Sequence, residues 1–152
     1  MKIVIQKVKQ AKVVVEEMIV GEIGHGYVLL VGIEVDDTIQ DVERAVQKIT
    51  NLRIFDDQDG KINLSIKDVG GDILSISQFT LAADCRKGNR PSFINAMNQT
   101  EANELYQIFN DKLRDNGFKV ETGIFQEHMN VILDNDGPMT IVLNIQEGKV
   151  VN

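Results

Sequence analysis

The first 35 residues constrain the fold most. Over residues 2–9, 12–20 and 26–35 Val and Ile recur between polar residues, as in KIVIQKVK. Successive side chains of an extended chain point to opposite faces, so this pattern specifies strands that bury one face. The three runs, broken by VGEIGHG, read as antiparallel strands joined by short turns. From Thr38 the period changes. Ile39, Val42, Ala45, Val46, Ile49 and Leu52 fall at helical spacing behind a threonine suited to an N-cap.

DDQDG then marks a turn, and Ile73 to Leu81 reads as a strand running into a loop. Thr100 opens a second helix with Glu101 and Glu104 in its first turn. Leu105, Tyr106, Phe109 and Leu113 share one face of it, and Gly117 suits its end. Two or three more strands are expected from Phe118 to Ile145. HMNVIL and TIVLNI flank DNDGPMT, Asp134 to Thr140, like the arms of a hairpin. Pro138 is unusual there, because proline removes a ladder donor at the start of a strand.

With no linker, repeat or low-complexity tract, the expectation is one α+β domain over residues 1–152, mostly antiparallel. That length supports a single core without disulfide or metal staples. No run of eighteen apolar residues is present, and the alternating N-terminus lacks the apolar core of a signal peptide. One cysteine, Cys85, cannot form an internal disulfide, in keeping with a reducing cytoplasm. A net charge of −7 argues against a general nucleic-acid coat protein. It leaves room for a local basic patch, and RKGNRPSF places Arg86, Lys87 and Arg90 within five residues.

Most motif-like stretches carry no chemistry. GEIGHG lies between strand patterns and opens no helix, so it reads as a turn and not a phosphate cradle. In DDQDG, counting back from Gly60 puts Phe55 and Ile66 at the first and last ligand positions of a calcium loop, and neither can bind. His25 and His128 have no partner at zinc spacing, so no metal or other cofactor is expected. Cys85 reads as a plain loop thiol, and there is no Gly-x-Ser-x-Gly elbow. What remains is SISQFTLAADCRKGNRPSF. Ser77, Gln78 and Thr80 end an apolar strand directly before the basic loop. This is either an ordinary polar strand end or a pocket floor whose hydroxyls and backbone N–H groups meet a carbonyl, with cations nearby for phosphates.

SQFTLAAD with RKGNRPSF, followed by TGIF and NDGPMT, resembles the D-aminoacyl-tRNA deacylases, also called D-tyrosyl-tRNA deacylases. The likeness runs from KIVIQKVKQAKVVVE to the final strand. It implies curled, barrel-like sheet layers with two main helices packed on one side. It implies a cytoplasmic homodimer that binds the acceptor end of aminoacyl-tRNA, not DNA or membrane, and hydrolyses the ester of a D-amino acid or of glycine mischarged on tRNA-Ala. Carried over by resemblance, Ser77, Gln78, Phe79 and Thr80 surround the ester and Phe125 packs against the adenine. Arg86, Lys87 and Arg90 meet the tRNA. Gly137 and Pro138, joined by a cis bond, project backbone carbonyls into the other subunit's site and reject L-amino acids. Met139, Gln126 and Glu127 depart from the family pattern, as does Lys7, which stands where many members have an arginine bracing the Gly-Pro segment. A catalytically silent dimer binding RNA ends or a metabolite is the competing reading.

Overall fold

The computed structural model describes residues 1–152. Strands β1 (Lys2–Val15), β2 (Met18–Ile23) and β3 (Gly26–Gly32) precede helix α1 (Ile39–Asn51). Then come β4 (Arg53–Asp56), β5 (Ile62–Ser65) and β6 (Asp72–Ser77), a 3-10 turn over Phe79–Ala82, and helix α2 (Gln99–Asp115). Strands β7 (Val120–Thr122), β8 (Asn130–Gln146) and β9 (Lys149–Val150) complete the chain. The main sheet is open, in the order β7-β6-β3-β1-β8-β9 with β2 also on β1, while β4 and β5 form a separate ribbon. Pairing is antiparallel except that β3, β6 and β7 run parallel to one another.

β3 is buried on both faces, which explains its unbroken apolar run YVLLV. Tyr27, Leu29 and Val31 join Ile3, Ile5 and the inner faces of both helices in the larger core. Val28 on the opposite face joins Val8, Val13, Ile23 and Leu74 in the smaller one. Both helices therefore lie on one side, and β2 with the far end of β1 and β8 curls over the other. Two of the three glycines of GEIGHG, Gly21 and Gly26, serve this curl. A Cβ on Gly21 would stand 2.8 Å from the Thr122 carbonyl oxygen, and one on Gly26 would stand 1.9 Å from that of Asp72.

Three expected elements differ. Residues 2–15 form one strand and not two: the chain stays extended through Gln10 and Ala11, and the irregularity is a slip in register against β8 between Gln6 and Gln10. The real turn comes at Glu16 and Glu17, both with positive φ of 46° and 67°, a conformation that glutamate does not advertise. The Ile73–Leu81 strand stops at Ser77, since the Gln78 N–H turns to the Val31 carbonyl at 2.7 Å and the 3-10 turn follows. Most consequentially, DNDGPMT is not a hairpin. Its two flanking runs belong to β8 and pair with the same strand, with Asn135 opposite Val8 and Thr140 opposite Gln6. Five steps along β8 thus match two along β1, and residues 136–139 bulge out of the ladder.

Helix α1 starts as its sequence predicts. The buried Asp41 carboxylate accepts from the Thr38 N–H at 2.8 Å, the Thr38 hydroxyl at 2.9 Å and the Gly148 N–H at 2.9 Å. Burial pushes this carboxyl upward, but the three hydrogen bonds outweigh it and hold it below the ordinary carboxylate range. A depressed folded value stabilises the fold above the unfolded value of about 4, and that contribution fades as pH falls through the folded value. Asp41→Asn should cost about 1–3 kcal/mol near neutral pH and flatten the acid limb of stability against pH. Urea titrations from pH 7 to pH 3 check this; an unchanged acid limb contradicts it.

Candidate active site

The C-terminal end of β3 organises a cleft of about 360 Å³. On one side the Val31 carbonyl receives Gln78. On the other, the Ile33 carbonyl receives the Met97 N–H at 3.1 Å, and the Val35 N–H reaches the Asn95 carbonyl at 3.0 Å. Gly32 allows the close approach, since a Cβ there would stand 2.8 Å from the Leu81 Cβ. Ser77, Gln78 and Phe79 form one wall, and Phe125, Gln126 and His128 another. Gln99 and Ala102 contribute from the start of α2.

Thr80 stands exposed beside this wall, its hydroxyl accepting from the Gln78 side-chain amide. No carboxylate or imidazole hydrogen-bonds that hydroxyl, so no base is positioned to activate it. As the first residues of the 3-10 turn, Phe79 and Thr80 have no carbonyl within the turn to accept from their backbone N–H groups. Phe125 is half-buried, its ring 6.1 Å from that of Tyr106, whose hydroxyl donates to the Ser75 carbonyl at 2.8 Å. Gln126 takes a positive φ of 71° in the turn that brings Gln126, Glu127 and His128 to the cleft.

The basic loop is divided. An antiparallel bridge between Asp84 and Ser92 closes it. Arg86 folds back onto Asp84, with Nε 2.9 Å from one carboxylate oxygen and a terminal nitrogen 2.6 Å from the other. That hydrogen bonding lowers the Asp84 carboxyl to about 2. Lys87 and Arg90 form no ion pair and remain exposed. Three cations in sequence are therefore two free ones in space.

Gly137 and Pro138 do not line the cleft of their own chain. They sit exposed at the crest of the β8 bulge, joined by a cis peptide bond. Asn135 pins the base of the bulge, its side-chain amide donating to the Lys7 carbonyl at 2.9 Å and the Met139 carbonyl at 3.0 Å. Lys7 is 4% exposed, and its ammonium lies between Asp56 at 3.4 Å and Asp136 at 3.7 Å. The lysine thus holds the bulge through a carboxylate, while Asn135 supplies the contact to carbonyls.

Sequence reasoning missed Met97, Gln99, Ala102 and His128 as cleft residues, because loop and helix positions acquire this role only through the ties to β3. It also missed Asn135. An Asn-Asp-Gly run signals a turn, and nothing in it shows that the first residue clamps the last.

The structure defines a single-chain α+β scaffold presenting a largely apolar cleft with polar groups gathered at the end of one strand. A family model described as D-Tyr-tRNA(Tyr) deacylase matches residues 4–144. A relative from Staphylococcus carnosus named D-aminoacyl-tRNA deacylase is 54% identical over 151 residues, covering 99% of this chain and all of the relative. A solved structure named c-Myc DNA Unwinding Element Binding Protein superposes with a TM-score of 0.91 at 39% identity, covering 96% of this chain and 99% of its own. Another, described as a "probable eukaryotic D-amino acid tRNA deacylase", has a TM-score of 0.81 at 19% identity, covering 95% and 98%, and shares the fold. The chain belongs to the D-aminoacyl-tRNA deacylase family, hydrolases of a carboxylic ester.

Replacing Asn135 with Ala removes both donors that clamp the bulge. Stability should fall by about 1–2 kcal/mol, and amide exchange should accelerate at residues 136, 137 and 139 before the rest of β8. Hydrogen exchange with peptide-level readout checks this; equal acceleration along the whole strand contradicts a local clamp.

Proposed function

We propose that this protein, acting as one domain over residues 1–152, hydrolyses the ester between a D-amino acid and the terminal adenosine of tRNA. The observation that carries the reading is the cleft between the Ser77–Phe79 wall and Phe125, in a chain matched by the family model over nearly its full length. Ser77, Gln78, Phe79 and Thr80 surround the ester, and Phe125 supports the adenine. The backbone N–H groups of Phe79 and Thr80 stabilise the oxyanion that forms as water attacks the carbonyl. Electrons shift onto that oxygen, then return to expel the ribose oxygen, which leaves with a proton; the neighbouring 2′-hydroxyl assists the transfer. The absence of a base at Thr80 favours this course over a covalent intermediate.

The working unit in this reading is a cytoplasmic homodimer. Gly137 and Pro138 are exposed and do not line their own cleft, and Ile132 and Val142 on the same strand are about half exposed, which suits burial against a second copy. The crest of one subunit then enters the cleft of the other as a backbone wall. An L-amino acid would direct its side chain or its ammonium group into that wall, and selectivity by clash gives large ratios. Glycine passes, so glycine mischarged on tRNA-Ala is a substrate. Lys87 and Arg90 meet phosphates of the acceptor end. No helix is long and apolar enough to cross a membrane.

Purified protein should accelerate loss of D-tyrosyl-tRNA well above spontaneous hydrolysis; no acceleration would move the reading to a binding protein. Thr80→Ala should retain activity within about tenfold, whereas removal of a true nucleophile costs several orders of magnitude. Lys87→Glu with Arg90→Glu should raise KM for the tRNA substrate and shallow its salt dependence, while Arg86→Gln has the smaller effect because Arg86 is already paired. Equal effects of all three on D-tyrosyl-adenosine would contradict a phosphate-binding role.

A further inference from the structure

Phe79, on the cleft wall, and Phe93, outside the cleft lining, form an exposed aromatic pair. Their rings meet edge to face, with centroids 5.1 Å apart at 66°, yet they remain 56% and 38% exposed. An aromatic pair normally buries its faces, because ring burial contributes most of its stabilisation. This pair instead stands at the mouth of the cleft, since Phe79 lines the cleft and Phe93 follows the closing bridge of the basic loop. Ile94, next along, is 78% exposed. Lys87 and Arg90 rise from that same loop without carboxylate partners.

Exposed aromatic faces beside unpaired cations are the elements that hold single-stranded nucleic acid: rings stack on bases and cations follow the phosphates. We propose that the Phe79–Phe93 pair is a stacking platform for the unpaired nucleotide preceding the terminal adenosine, with Lys87 and Arg90 holding its phosphate. The identity of the occupant rests on the deacylase reading. A strand whose last nucleoside lies in the cleft must leave across the mouth, and the platform is the apolar surface it meets there. Two unpaired cations on a chain of net charge −7 give this edge a local attraction for anions, which the phosphates of a strand leaving the cleft supply. Because stacking tolerates any base, the platform adds affinity for the acceptor end without selecting among tRNAs.

Phe93 tests this cleanly, because it lies outside the cleft lining and is exposed enough to replace without disturbing the core. Phe93→Leu should raise KM for D-tyrosyl-tRNA about 5-fold or more, leave kcat in place, and leave D-tyrosyl-adenosine unaffected, since that substrate has no preceding nucleotide. Phe93→Tyr should restore the wild-type KM. Alongside, an uncharged RNA hexamer carrying 2-aminopurine at the position before its 3′ nucleoside should lose fluorescence on binding wild-type protein and keep it with Phe93→Leu. An unchanged KM on tRNA, or equal losses on both substrates, overturns the platform. If wild-type protein hydrolyses neither ester, the deacylase reading fails, and the fluorescence change by itself still decides for or against stacking.

Discussion

Everything in this molecule is arranged around one strand. β1 pairs with β8 along one edge for nearly its whole length, and its other edge is shared, with β3 on residues 2–8 and β2 on residues 11–15. Two sets of hydrogen bonds fix its position, so a mismatch on one side cannot be absorbed by sliding. Where β8 carries more residues than β1 can pair, the excess has to leave the sheet. That forced excursion is the crest bearing Gly137 and Pro138, and Asn135 closes its base across to the Lys7 and Met139 carbonyls. A crest that would be mobile on a free loop, and to which the proposed function assigns the chiral test, is thereby mounted on the most thoroughly bonded part of the fold.

The cleft depends on the same frame one strand further in. β3 is held between β1 and β6, and its C-terminal end offers carbonyls that the Gln78 turn and the Met97 segment both use. Gly32 removes the one side chain that would separate them. The polar wall, the cleft and the basic loop are consequently placed by backbone contacts. This suits an enzyme whose proposed chemistry relies on main-chain donors and a main-chain wall, because backbone held by a sheet has little freedom to adapt to the wrong substrate.

Local periodicity made the helices legible. The apolar face from Val42 to Ile49 and the threonine before it determine α1 without help from the rest of the chain, and Gly117 ends α2 region at a positive φ of 91°. Pairing partners were not legible in the same way. Turn residues at 134–140 show that the chain changes direction or bulges, but not whether its arms meet each other or a third strand. The reverse error occurred at Glu16 and Glu17, where a tight turn is imposed by pairing and no turn residue is present. In the candidate site, Ser77, Gln78, Phe79 and Phe125 stand in motifs visible in the sequence and line one cleft, whereas the pairing of Arg86 with Asp84 and the recruitment of His128 and Ala102 arise only from tertiary placement.

In the proposed function the cleft tests chirality through a rigid backbone element. The most direct test of this is hydrolysis of D-tyrosyl-tRNA and L-tyrosyl-tRNA side by side at one enzyme concentration, each corrected for spontaneous loss. A rate ratio of several hundredfold or more in favour of the D-ester, with the L-ester decaying at its background rate, is the predicted result. Equal acceleration of both esters would contradict it, leaving a hydrolase whose Gly137–Pro138 crest does not discriminate.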